Sequence, residues 1–160
     1  MKLKIFLPLF LLLTTFASFS QDAGAKFKAT ADKVYGAFNS GDLDDLDKYF
    51  DASYNEHNLS PGVTTTGVAG LKESIAKFRA AFPDIHFAIV DWAFDGKSKG
   101  TILTHLTGTN TGSFMGMPAT NKKVDFMGLD YVTLNSDGKV IEHWGFSDDL
   151  KMMQQLGMGK

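Results

Sequence analysis

The chain has 160 residues, 44% of them hydrophobic and 21% charged, with no cysteine and a formal charge of −2. This composition describes one folded domain and excludes a disulfide scaffold, a thiolate metal site and a nucleophilic thiol. Basic and acidic side chains nearly balance and Arg79 is the sole arginine, so a phosphate-binding surface, and with it a nucleic-acid partner, is not expected.

Lys2 and Lys4 precede an apolar run from Ile5 to Leu13, and Ser18-Phe19-Ser20 sets small residues three and one before Gln21. That is the layout of a secretory signal peptide over residues 1–20, with cleavage expected before Gln21. The run is short for a bilayer span, and without cysteine a lipoprotein anchor is excluded, so no stable membrane anchor is expected. The mature part, residues 21–160, carries 14 basic and 18 acidic groups and is expected in the periplasm or outside the cell.

Residues 21–160 read as one domain, helices first and strands after. Phe27, Ala31, Val34, Tyr35 and Phe38 form one helical stripe that stops at Asn39-Ser40-Gly41. A short second helix is expected after Asp42 as its cap, burying Leu43, Leu46, Tyr49 and Phe50 and turning Asp44, Asp45 and Asp47 to water. That acidic run lacks the glycine and closing glutamate of a calcium loop. Leu71, Ile75, Phe78 and Phe82 mark a third helix ending at Pro83.

Beyond Pro83 the pattern alternates. Ile85 to Trp92, Thr101 to Thr107, Val124 to Leu134 and Val140 to Phe146 read as antiparallel strands, with turns at Asp95-Gly96 and Asp137-Gly138. A last short helix, starting near Asp148 or Asp149, carries Leu150, Met153 and Leu156. Helices followed by a β-meander imply an α+β fold in which helices cover one face of a curved antiparallel sheet and enclose a pocket. Both faces of the strand around Leu103 are partly apolar, so the uncovered one is expected to meet a second copy as a homodimer.

Several motifs then fall in a telling order: Tyr35 to Asp47, Glu56-His57-Asn58, Gly70-Leu71-Lys72 and Ala81-Phe82-Pro83-Asp84, followed by Gly108 to Gly112, Phe114 to Thr120, Asp137 to Trp144 and Gln154 to Gly157. Together they make residues 25 to 157 closely resemble the SnoaL-like polyketide cyclase or ester cyclase family. The resemblance implies the nuclear transport factor 2-like cone, in which three N-terminal helices and a short C-terminal one pack on a strongly curved sheet around a deep pocket, commonly as a homodimer. It also implies ring closure by intramolecular aldol condensation without metal or cofactor. The family's aspartate position is Gly145 here, its strand histidine falls near Asp130, and another histidine position is Asn110.

Of the remaining ionisable groups, His143 shares the phase of Gly145 and is the foremost catalytic candidate, with Asp130 or Asp148 as partner. The bland alternatives are a buried histidine satisfied by a carboxylate, and Asp148 as a helix cap. His57, Asn58, Phe78, Phe82, Asn110, Phe114, Met117 and Trp144 are candidate binding residues for a small apolar molecule, although such aromatics are as readily core. Glycine and methionine between Gly112 and Thr120 suggest a flexible flap. No His spacing suits a metal, Glu56-His57 and Glu142-His143 pointing to opposite strand sides, and no Walker, dinucleotide or serine-elbow motif occurs. Two readings stay open: a cofactor-free cyclase or isomerase acting on a small apolar carbonyl or ester compound, and a binding protein holding a hydrophobic ligand unchanged.

Overall fold

The computed structural model describes residues 13–158. The proposed signal peptide lies mostly outside them. Helix α1 runs from Leu13 to Ser40, and Phe27, Ala31, Val34, Tyr35 and Phe38, all beyond the expected cleavage point, form its buried stripe. Gly41 ends it in the left-handed region at φ 77°, and Arg79 donates from Nη1 to the exposed carbonyls of Phe38 and Asn39. The lone arginine therefore serves as a helix C-cap.

A 3-10 helix over Asp44–Lys48 replaces the second α-helix expected from the sequence. Leu43, not Asp42, is its N-cap, and Leu46 is its one buried side chain. The chain is already committed to a strand at Phe50, so no second turn can form. Helix α2 spans Gly67–Ala81 with Phe82 as C-cap, and α3 spans Asp149–Leu156. Helix α3 buries Met152 and Leu156 but leaves Leu150 66% exposed, so its inner face is turned from the expected one.

Five strands form one sheet in the order β1-β5-β4-β3-β2: β1 (Phe50–Glu56), β2 (His86–Phe94), β3 (Lys99–Thr109), β4 (Lys123–Leu134) and β5 (Val140–Ser147). The last four are the expected antiparallel meander. Strand β1 joins as a parallel edge beside β5, which makes the sheet mixed. Along β3 the even residues Ile102, Thr104 and Leu106 turn inward and are buried, while Thr101, Leu103 and His105 stay partly exposed on the outer face. Helices α1 and α2 cover the inner face. Among the described residues no helix is long and apolar enough to cross a membrane.

Register in β5 depends on one bulge. Leu134 pairs with Val140 and Thr133 with Glu142, so Ile141 is an extra residue on β5. Strict alternation from the buried Val140 would turn Glu142 and Trp144 inward. The bulge instead resets the phase and points His143 and Gly145 into the fold.

Candidate active site

Between α1, α2 and the inner sheet face lies a cavity of about 280 Å³. Most of its wall is apolar, from Val34, Phe38, Leu71, Ile75, Phe78 and Leu106 among others. Its polar end is built by Tyr35 of α1, Tyr54 and Glu56 of β1, Asp130 of β4 and His143 of β5.

These five groups form one continuous hydrogen-bond chain. The imidazole of His143 donates from Nδ1 to Glu56 Oε2 at 2.7 Å and from Nε2 to Asp130 Oδ1 at 2.8 Å. The Tyr35 hydroxyl donates to the other Asp130 oxygen, and the Tyr54 hydroxyl to Glu56 Oε2. Asn58 completes the set by donating its backbone N–H to Glu56 Oε1 at 2.9 Å.

The electrostatics follow from that chain. Burial works against a charge on His143, but hydrogen bonds and charges from Asp130 and Glu56 outweigh it and raise the pKa from 6.5 to about 9, so the ring is an imidazolium at neutral pH. Burial likewise opposes ionisation of Glu56, yet the hydrogen bond and charge of His143, the Tyr54 hydroxyl and the Asn58 amide hold its pKa below the usual carboxylate range. Both phenols keep their protons: burial first, then the adjacent carboxylate, pushes Tyr35 and Tyr54 well above the ordinary value.

The two carboxylates are not equivalent. Glu56 accepts three hydrogen bonds and its side chain is 3% exposed, whereas Asp130 accepts from His143 and Tyr35 only and is 20% exposed. Glu56 therefore holds the imidazole from behind, and Asp130 is the carboxylate open to a ligand. Among the described residues no group of three His, Cys, Asp or Glu side chains has an arrangement that holds a metal ion.

Gly145 sits opposite Asp130 on the neighbouring strand. A Cβ there would stand 3.2 Å from His143 Cε1 and 3.3 Å from Asp130 Oδ1, so the missing side chain leaves a niche directly over the charged pair. Its N–H is received by Asn58 Oδ1 at 3.0 Å, beyond the end of β1.

His143 and Asp130 thus border one cavity and touch, the arrangement that the hairpin and strand phase lead one to expect. Asn58 and Phe78 also line it. The other sequence candidates lie elsewhere. Asp148 is exposed and caps α3, its Oδ1 accepting from the Lys151 N–H at 3.0 Å. His57 points away from Glu56's side of β1 and stacks on Trp144, ring centroids 3.9 Å apart, on the far side of the sheet from the cavity. Phe82 is fully buried and packs with Phe114 in a second core cluster under α3.

Asn110 is also fully buried and does not line this cavity. It donates to the Ala81 and Gly112 carbonyls and accepts from the N–H and hydroxyl of Thr120. Met117 pairs with Phe114 through two backbone hydrogen bonds, closing a tight hairpin whose tip residues Met115 and Gly116 have φ of 50° and 78°. With Asn110 at its base and Phe114 packed on Phe78 and Phe82, the Gly112–Thr120 segment is an anchored hairpin rather than a loose flap.

Tyr35, Tyr54 and Glu56 are the site residues that the sequence did not single out; Tyr35 shows there only as part of the buried α1 stripe, and the other two lie on β1. Their signal was the alternation of Phe50, Ala52, Tyr54 and Glu56 with Asp51, Ser53, Asn55 and His57, which a helix ending at Phe50 obscures.

The family model for SnoaL-like polyketide cyclases matches residues 29–156. The chain belongs to the SnoaL-like polyketide cyclase family. Solved structures agree in fold. TsrD of Streptomyces laurentii superposes with a TM-score of 0.72 at 23% identity, covering 86% of this chain and 96% of that one. A candidate polyketide cyclase from Bacillus cereus gives 0.67 at 29% identity over 82% and 80%, and IdmH of Streptomyces antibioticus, also a candidate polyketide cyclase, gives 0.70 at 27% over 82% and 98%. No curated protein matches the chain in sequence. As a SnoaL-like protein of the nuclear transport factor 2-like cone, it carries the small-molecule pocket of that fold.

Proposed function

We propose that this SnoaL-like protein is a cofactor-independent acid–base enzyme acting on a small, neutral, apolar ketone or ester. One observation carries the reading: an imidazolium clamped between two carboxylates closes the polar end of an otherwise apolar cavity. In this scheme Asp130 removes a proton from the carbon beside the carbonyl, and the C–H electron pair passes into the enolate. The enolate carbon then either takes the proton back from Asp130 or forms a C–C bond to a second carbonyl of the same molecule. In the second case the resulting alkoxide receives the Asp130 proton, so the ring closes with no group lost. His143 keeps its charge throughout and offsets that of Asp130, with Glu56 fixing the ring.

The test needs no natural substrate. Wild-type protein incubated with 2-tetralone in D2O is expected to exchange the protons beside the carbonyl faster than buffer, as read by NMR. Exchange at the buffer rate overturns the reading. The second reading, a carrier that leaves its ligand unchanged, draws support from the internal satisfaction of every N–H and O–H in the His143 chain; a ketone that raises the melting temperature but does not exchange favours it.

Two further features belong to the same proposal. Export is supported by the Lys2, Lys4 and Ser18-Phe19-Ser20 layout, and N-terminal sequencing of the mature protein is expected to begin near Gln21. Assembly as a homodimer through the outer sheet face is supported by exposed Leu129 and Phe146, neighbours across β4 and β5. Light scattering that finds only monomer at about tens of micromolar overturns the dimer.

A further inference from the structure

We infer that the ligand's carbonyl group lies in the niche over Gly145, with its oxygen held by the side-chain amide of Asn58. The inference rests on the carbonyl-ligand reading above and adds the group that receives the developing negative charge.

The His143 chain contains a base but no spare donor. Both imidazolium N–H groups go to carboxylates, and the Tyr35 and Tyr54 hydroxyls go to Asp130 and Glu56. Proton removal by Asp130 puts charge on the carbonyl oxygen, which in a largely apolar cavity requires a donor supplied from outside that chain. Asn58 fits the requirement. A backbone N–H can only donate, so the Asn58 atom facing Gly145 N is the amide oxygen, and this fixes which end carries the NH2. Among the described residues that NH2 has no protein partner, and Asn58 borders the cavity.

Gly145 supplies the space. The position of its absent Cβ lies within 3.3 Å of both His143 and Asp130, so a ligand atom resting on the bare backbone there meets the base at contact distance. The same glycine holds Asn58 through its N–H. One residue thus ties the donor to the niche where the reacting carbon sits.

A purely architectural role is the rival: Asn58 Oδ1 merely extends the β5 ladder past the end of β1. Two substitutions separate the roles. Asn58→Asp keeps an acceptor for Gly145 and removes the donors; Asn58→Ala removes both. With 2-tetralone as probe, the donor role predicts that both variants lose kcat/KM for exchange on the order of a hundredfold, while Asn58→Asp melts near wild type. Infrared difference spectra of carbonyl-labelled 2-tetralone provide a readout that an architectural role leaves unmoved. The bound carbonyl band is expected at lower wavenumber in wild type and shifted back up in Asn58→Asp.

Gly145→Ala, which fills the niche with a methyl at a backbone position without positive φ, is expected to raise KM about tenfold. Wild-type carbonyl frequency and exchange in Asn58→Asp, or an unchanged KM in Gly145→Ala, overturns the inference and leaves the enzyme reading standing. Exchange at the buffer rate in wild type overturns that reading itself.

Discussion

Two buried polar networks in this protein look alike by burial and hydrogen bonding and differ in everything that matters for chemistry. Around Asn110, one neutral amide spends two N–H bonds on the Ala81 and Gly112 carbonyls and receives two from Thr120, at a place outside the wall of the His143 cavity. Around His143, the linked groups are titratable, both carboxylates face one cation, and the more open carboxylate meets an apolar cavity. The first network fastens a hairpin to the end of α2. The second concentrates charge where a ligand can reach it. Complete satisfaction is therefore no mark of function; charge beside accessible apolar space is.

The largest expected effect breaks the second network at its open end. Asp130→Asn removes the base while retaining atoms that can bond Tyr35 and His143, and exchange on 2-tetralone is expected to fall by about 10²–10⁴-fold. A variant that keeps more than a tenth of the wild-type rate removes Asp130 from the proposed chemistry. Glu56→Gln has a different signature, because Glu56 touches His143 rather than the niche: the imidazolium pKa is expected to drop, and NMR titration of His143 reads it directly.

Breaking the first network moves stability instead. Asn110→Ala leaves the Ala81 and Gly112 carbonyls and the Thr120 donors short of partners in a fully buried place, a loss of about 3 kcal/mol. Denaturant unfolding measures it, and exchange per folded molecule is expected to stay at wild type. A comparable loss of catalysis in the folded fraction would join the two networks and undo the distinction.

How much of this was legible in the sequence depends on the range of each contact. The α1 stripe from Phe27 to Phe38 and the β-meander showed in local periodicity, and the hairpin turn before Lys139 set β4 beside β5, with Asp130 and His143 13 residues apart. Glu56 escaped because it meets His143 across 87 residues through a parallel pairing that no turn announces. The aromatic candidates failed for another reason. Phe82, Phe114 and Trp144 are equally good at core, hairpin and outer-face packing, and nothing in an aromatic's identity says which side of a sheet it faces. The Ile141 bulge, which decides that His143 rather than Trp144 enters the cavity, has no sequence mark at all.

Protonation of His143 sharpens the contrast further, since only the charged network responds to pH. Its pKa rises from 6.5 to about 9 on folding, so the native state holds the proton more tightly. The resulting stabilisation is complete below pH 6.5 and disappears as pH climbs through about 9. For a side chain with partial exposure the amount is on the order of 2 kcal/mol. Glu56, with its pKa lowered, works in the opposite window, stabilising above the ordinary carboxylate range and losing that contribution as acid protonates it. Unfolding free energy measured from pH 6 to 10 is expected to decline in wild type and to stay flatter in His143→Gln. Equal slopes in both would mean that the imidazolium contributes nothing to the fold.

The smallest effect concerns Asp148, the carboxylate that sequence alone set beside His143 as a catalytic candidate. It follows β5 directly, and its Oδ1 takes the Lys151 N–H at the start of α3, the geometry of an N-cap. A capping carboxylate there also meets the positive end of the helix dipole, and both contributions vanish in Asp148→Ala. The expected loss is about 1 kcal/mol, because an exposed cap is replaced in part by water. Helix α3 packs on the cluster beneath Phe82 and Phe126, so the loss appears as earlier melting of that half of the core, while His143 and Asp130 lie among different neighbours. Asp148→Asn, which caps nearly as well but carries no charge, separates the two contributions: it is expected to recover most of the stability. If exchange on 2-tetralone falls in Asp148→Asn although stability recovers, the carboxylate takes part in the chemistry after all, and Asp130 is no longer its sole acid–base group.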